Sequence, residues 1–246
     1  EDVDDATREE AAKALTEHAD PKTLEPLLSA LEDDYWSVRS HVGWALAKIG
    51  GDKAIEGLIT LFNDNMMEVQ AEAVKAMASM GKGVVPKLLT CLKDKRWRVR
   101  EQAAKTLGEL HAPEAVQGLM IVCRDRDGAV KSAAAEALGK IGDPRAIPTL
   151  IKLFKDTSKI ARETAGTALM YIGAPSVDAL LETLKDPHFV VRCHGVRALG
   201  GMTTDYQMGK PWVKEPRVVE ALIAMIKDPD RAVREEIGRA SCRERV

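Results

Sequence analysis

The chain is short of almost everything that announces a chemistry. Aromatic residues fill 4% of its 246 positions, a content that suits helices packed through small side chains rather than an aromatic-lined substrate pocket. Its four cysteines form no C-x-x-C pair and no even framework, which argues against a disulfide-stapled secreted scaffold and for a reducing compartment. Cys91 and Cys123 fall in apolar columns and read as small core residues. No apolar run approaches the ~20 residues needed to span a bilayer, so no membrane association is expected. Neither sign of charge dominates: the net charge is −2, and nothing at the level of the whole chain favours nucleic acid. No Ser-His-Asp order, Gly-rich phosphate loop or metal-ligand spacing is present. No metal, cofactor or catalytic residue is therefore expected.

What the chain has in abundance is repetition. Asp33, Asp64, Asp94, Asp125, Asp156 and Asp186 recur at spacings of 31, 30, 31, 31 and 30 residues, and Asp228 follows after 42, one period plus an insertion of about 11. Five positions after each stands Val38, Val69, Val99, Val130, Ala161, Val191 or Val233, followed by Arg39, Gln70, Arg100, Lys131, Arg162, Arg192 or Arg234. Leu46, Met77, Leu107, Leu138, Leu169 and Leu199 form a further column, and Gly50, Gly81, Gly142 and Gly173 stand where a helix must stop. Residues 126–156 show the unit most clearly. Val130, Ala134, Ala137, Leu138 and Ile141 share one helical face, Gly142 ends that helix, and Asp143-Pro144 opens a second with Ile147, Leu150, Ile151, Leu153 and Phe154 inward. A helix pair this short cannot bury two apolar faces alone and needs copies on either side.

The pattern D-x-x-W-x-V-R-x-x-x-x-x-A-L-x-x-I-G, read at Asp33 to Gly50, resembles the short HEAT-like repeats named after the phycobilisome lyases. The resemblance covers roughly residues 2–235. It implies an all-α solenoid of stacked antiparallel helix pairs (helix A, then helix B), with a right-handed superhelix and the B helices on the concave face. The expected organisation is a partial unit at 1–19, six pairs over 20–202, an inserted loop at 203–216 and a partial unit at 217–235. The tail 236–246 breaks the repeat. One reverse translation of Ile237 to Val246 looks like a short-read sequencing adapter, so this tail is expected to be non-native.

The most regular column pairs Asp33, Asp64, Asp94, Asp125, Asp156 and Asp186 with Arg39, Arg100, Lys131, Arg162 and Arg192. Each Asp is placed to cap a B helix and each basic residue to reach an Asp of its own or an adjacent unit, giving a structural ladder rather than an anion site. Trp36, Trp97 and Phe189, three positions after the Asp, read as core plugs between repeats.

The candidate contacts lie on the other face of the B helices. Ser37, His41, Trp44 and Lys48 form an outer stripe on the first complete one, and Lys75, Lys105, Tyr171, His194 and Arg197 extend it. A tryptophan in a column of charges is a favoured anchor for a partner. Tyr206 and Trp212 in the inserted loop are a second candidate contact. Seven stacked units give a groove roughly 60 Å long at helix spacings of 8–10 Å, a length suited to an extended peptide or a partner helix.

Two enzymatic relatives bear on the reading. Deoxyhypusine hydroxylase, built on similar repeats, holds iron with His-Glu pairs on its B helices. The matching positions here read Ser40-His41, Ala71-Glu72, Glu101-Gln102, Ser132-Ala133, Glu163-Thr164 and Cys193-His194, with no such pair. The bilin lyase subunits imply chromophore transfer to a phycobiliprotein or its chaperoning, and Cys193 beside His194 is the one pairing that invites this alternative. Neighbouring residues on a helix point in different directions, however. The expectation is a cytoplasmic, monomeric, non-enzymatic scaffold for a protein or peptide partner.

Overall fold

The computed structural model describes residues 4–204 and 215–242. All regular structure among the described residues is helical, in fifteen α-helices and six short 3-10 turns. By contacts the chain forms two compact units, Glu1–Ala115 and Val116–Val246. In the first, α1 (Asp5–Glu17), α3 (Trp36–Ile49), α5 (Met67–Ser79) and α7 (Trp97–Glu109) are B helices, and α2 (Leu24–Ser29), α4 (Gly51–Leu61) and α6 (Val85–Cys91) are A helices. In the second, α8 (Val116–Val122), α10 (Ile147–Leu153), α12 (Val177–Thr183) and α14 (Pro216–Met225) are A helices. Their B partners are α9 (Gly128–Ile141), α11 (Lys159–Ile172), α13 (Phe189–Thr204) and α15 (Arg231–Cys242). Each B helix packs on the next B helix of its unit, and each A helix packs on the B helix that follows it. This is the all-α solenoid arrangement implied by the period.

The columns explain why. Val69, Val99, Val130, Ala161 and Val233 are fully buried, as are Leu46, Met77, Leu107, Leu138, Leu169 and Leu199. One small residue and one long one per B helix fill the space between neighbouring layers, while Phe62 and Phe154 are fully buried at the ends of α4 and α10. The A helices are too short to persist alone. An isolated helix under ~12 residues is marginal in water, so α6, α8, α10 and α12, of seven residues each, exist because both flanks are covered. Pro144 does not open α10 directly. It starts a 3-10 turn, Pro144–Ala146, and the α-helix begins at Ile147.

Two backbone features position the layers. Gly142 ends α9 at φ 75° and ψ 18°, a left-handed conformation that costs glycine nothing. The equivalent place after α7 is held by His111 at φ 45°, so the stop is a requirement of the fold rather than of glycine alone. Gly139, one turn before the stop, has a different role. A Cβ there would lie 2.7 Å from Cα and 2.9 Å from Cβ of Ala168, so α9 and α11 meet backbone to backbone at this point.

Helix α15 runs through the expected boundary at residue 235 to Cys242. Glu236 is buried within it, at 7% exposure.

A candidate partner-binding face

The aspartates do not sit at the N-caps. Those positions belong to residues such as Tyr35, Met66 and Arg96. Each carboxylate instead accepts the backbone N–H two residues on: Asp33 from Tyr35, Asp64 from Met66, Asp94 from Arg96, Asp125 from Asp127, Asp156 from Ser158, Asp186 from His188 and Asp228 from Asp230, all at 2.8–2.9 Å. The A-to-B turn is thus closed by an Asx turn, and the helix starts after it.

The basic column bonds twice. Its Nη1 donates back to the carbonyl oxygens of its own turn: Arg39 to Asp33 and Asp34, Arg100 to Asp94 and Lys95, Arg162 to Asp156 and Thr157, Arg192 to Asp186 and Pro187. The rest of the head group crosses to the next repeat. Arg8 meets Asp33 at 3.0 Å, Arg39 meets Asp64 at 2.7 and 2.9 Å, and Lys131 meets Asp156 at 2.5 Å, each 25 residues on. Arg192 grips Asp228 at 2.8 and 2.9 Å across an offset of 36. One rung differs. Asp186 is met by Lys155 at 2.9 Å, and the buried Nε of Arg162 has no hydrogen-bond partner among the described residues.

Three residues read as core plugs are on the surface. Trp36, Trp97 and Phe189 are 39%, 38% and 43% exposed. Because the helix begins after the Asx turn, this position falls on its first turn at the edge of the stack, outside the layers. The guanidinium of Arg98 lies over the Trp97 ring, 4.8 Å from its centre.

On the outer face of α1, α3, α5 and α7 the candidate residues are tied to one another. Trp44 is half-buried, and its indole N–H donates to Glu72 on α5 at 2.9 Å. Lys75 reaches the other oxygen of Glu72 at 2.7 Å. The Lys75 ammonium, then the Trp44 indole, acting against burial, hold the Glu72 carboxyl below its usual range. His41 lies 3.9 Å from Glu9, Lys105 pairs with Glu101 at 2.7 Å, and Lys48 is exposed at the end of α3. Ser37, read as part of this stripe, is buried at 7% exposure, on the side of the first turn of α3 opposite the exposed Trp36. Behind the stripe Gln102 donates to Gln70 at 2.9 Å.

In the second unit the stripe is less open. Arg197 is gripped by Glu236 at 2.7 and 2.8 Å, with Glu163 at 3.5 Å. Tyr171 is partly exposed. His194, read as an exposed contact, is 8% exposed with its ring 5.3 Å from that of Phe154. Burial, reinforced by the charge of Arg197, lowers its pKa to about 4. It is a neutral core residue. Burial also raises the thiol of Cys193, the opposite of what a nucleophile needs. Tyr206 and Trp212 lie outside the described residues. Among the described residues no group of three or more His, Cys, Asp or Glu side chains is placed to hold a metal, and no helix is long and apolar enough to cross a membrane.

The sequence reading places Glu72 on the stripe without its bond to Trp44, and it missed Glu163 and Glu236, the carboxylates that fix Arg197. The signal was available: a side chain on one B helix meets the next about 25 to 28 residues later, and Trp44 to Glu72 is such an offset.

Comparison with known proteins fits this geometry. No curated protein sequence matches the chain. Among solved structures, a chain from the complex of Kap95p with RanGDP superposes with a TM-score of 0.60 at 13% identity, over 99% of this chain and 40% of that one. YibA of E. coli superposes at 0.52 with 20% identity, over 99% and 88%. The CpcE–CpcF phycocyanin lyase complex of Nostoc sp. PCC7120 is similar at 0.45 and 19%, over 90% and 93%. The model for HEAT repeats matches residues 1–78, 55–127, 85–170 and 118–200. The chain belongs to the HEAT-repeat family.

Proposed function

We propose that this protein is a non-enzymatic scaffold that binds a partner protein or peptide along the outer face of its B helices. The observation that supports this most is the Trp44–Glu72–Lys75 cluster. A half-buried indole is held across two helices with charges of both signs beside it. Such a surface is ordered before it meets a partner, so binding costs little side-chain entropy, and tryptophan is the residue type most often found at the energetic centre of an interface. Charges of both signs lie side by side along α5 and α7, which does not suit a phosphate backbone. Kap95p, which shares the fold, binds RanGDP.

The test is recovery of partners from a lysate by wild type and by Trp44→Ala/Tyr171→Ala, scored for protein and for bound chromophore. The reading expects a protein recovered by wild type and lost from the double variant. Equal recovery by both removes the stripe from function, and a coloured bilin species in the eluate moves the lyase alternative ahead of it.

A further inference from the structure

The turn between each A helix and the following B helix exposes the same positions in every repeat, and in the first unit they hold an ordered set. The residue before the Asp is Glu32, Asn63, then Lys93. The residue after it is Asp34, Asn65, then Lys95. All six are exposed. Three positions after the Asp come Trp36, Met67 and Trp97, at 39%, 78% and 38% exposure. Helices α3, α5 and α7 pack in that order, so the three turns lie side by side. One edge of the unit therefore runs from two carboxylates, through two amides, to two ammonium groups, with a large apolar side chain at every step.

The fold uses one of the six, Asn65, whose Oδ1 accepts from Arg39 at 3.1 Å. Among the described residues no ion pair involves the four charged ones, Glu32, Asp34, Lys93 and Lys95, although Asp64 and Asp94 in the same turns are both engaged. Large apolar side chains recurring on a solvated edge mark a contact surface. Trp36 packs beside Tyr35 and Trp97 beneath Arg98, so both rings are held in place.

We infer that this edge joins two copies of the chain. A surface that runs from acidic to basic is its own complement when turned end for end. A two-fold axis through Met67 sets Glu32 and Asp34 of one copy against Lys93 and Lys95 of the other, twice over. Met67 meets Met67, and Trp36 faces Trp97. This is the self-complementary patch that a two-fold dimer requires. A nucleic acid or an anionic lipid surface is repelled by the acidic half, whereas a second copy satisfies both halves at once. Three turns spaced 8–10 Å apart make a patch smaller than the ~800 Å² per partner of a standard interface, so the dimer is weak and its charges steer it.

The test is sedimentation of the full chain against concentration, with tryptophan emission as a second readout. Wild type forms a reversible dimer in the micromolar range whose dissociation constant rises at least about tenfold from ~0.05 to ~0.5 M salt. Lys93→Glu/Lys95→Glu gives an edge acidic at both ends and is monomeric. Glu32→Lys/Asp34→Lys gives an edge basic at both ends and is monomeric. An equal mixture of the two dimerises again, because each end now faces its opposite. Circular dichroism establishes that the variants are folded. A wild type that stays monomeric at every concentration, or two variants that do not recombine, overturns the inference. Neither result touches the B-helix face, whose own test uses Trp44 and Tyr171.

Discussion

Replacing Arg39 by alanine tests how the stack is held. Its guanidinium makes five hydrogen bonds: two to the Asp64 carboxylate, one to Asn65 Oδ1 and two to the carbonyl oxygens of Asp33 and Asp34. Side-chain exposure at this rung is 9% for Arg39 and 7% for Asp64. Arg39→Ala leaves Asp64 with one backbone N–H, from Met66, and no counter-charge. Stranding one half of a buried pair costs roughly 3–5 kcal/mol, and the surviving N–H bond places this case near the lower figure, about 3 kcal/mol. Lys53–Glu25 is the control, a pair with side chains 68% and 69% exposed. Its loss is expected to cost under about 0.5 kcal/mol. Urea unfolding followed by circular dichroism gives both numbers. Because repeats couple only to their neighbours, amide exchange should rise in α3 and α5 and not in α13. A cost for Arg39→Ala no larger than that for Lys53→Ala, or a loss of protection spread evenly over the chain, refutes the ladder as the bond between repeats.

Three further outcomes follow from single sites. Gly139→Ala should destabilise by about 1–2 kcal/mol, the clash with the Ala168 backbone outweighing the gain in helix propensity. Gly43→Ala, whose methyl meets only the side-chain ends of Leu61 and Leu58, should cost less, and the same urea titration compares them. His194 stays neutral in the fold down to about pH 4, whereas the unfolded chain protonates it near its model value of 6.5. Stability attached to it is therefore full above pH 6.5 and falls between 6.5 and 4, by up to about 3 kcal/mol. His194→Asn should flatten that part of the stability profile, and an unchanged slope would disprove its burial as a neutral ring. Cys123 is 2% exposed with its thiol pushed up to about 12, so iodoacetamide at neutral pH should label it only on unfolding, which mass spectrometry of the folded protein checks.

The period of the aspartates and the apolar columns made the fold legible, because a two-helix unit has one way to bury both faces. Every B helix from α3 to α15 begins three residues after its column aspartate. The site was less legible. Exposure at Trp36 and Trp97 depends on where the helix starts relative to the Asx turn, and an aspartate in the sequence does not say whether it caps the helix or closes the turn before it. His194 looks like a stripe residue by period, but Phe154, forty positions earlier, draws it inward. Trp44 looks solvent-facing within its own helix and is covered by Glu72 of the next. In each case the deciding neighbour lies on another helix, at a distance in sequence that period alone does not weight.

Photo-crosslinking is the most direct measurement of whether the B-helix face binds a protein. The full chain carries a crosslinker in place of Lys75, beside Trp44 and Glu72, or in place of Lys152, exposed on α10. Both are irradiated in lysate and the adducts are sequenced. The account predicts one or a few defined peptides attached at position 75 and none of these at 152. The same adducts at both positions, or a small molecule in place of a peptide at 75, would contradict it.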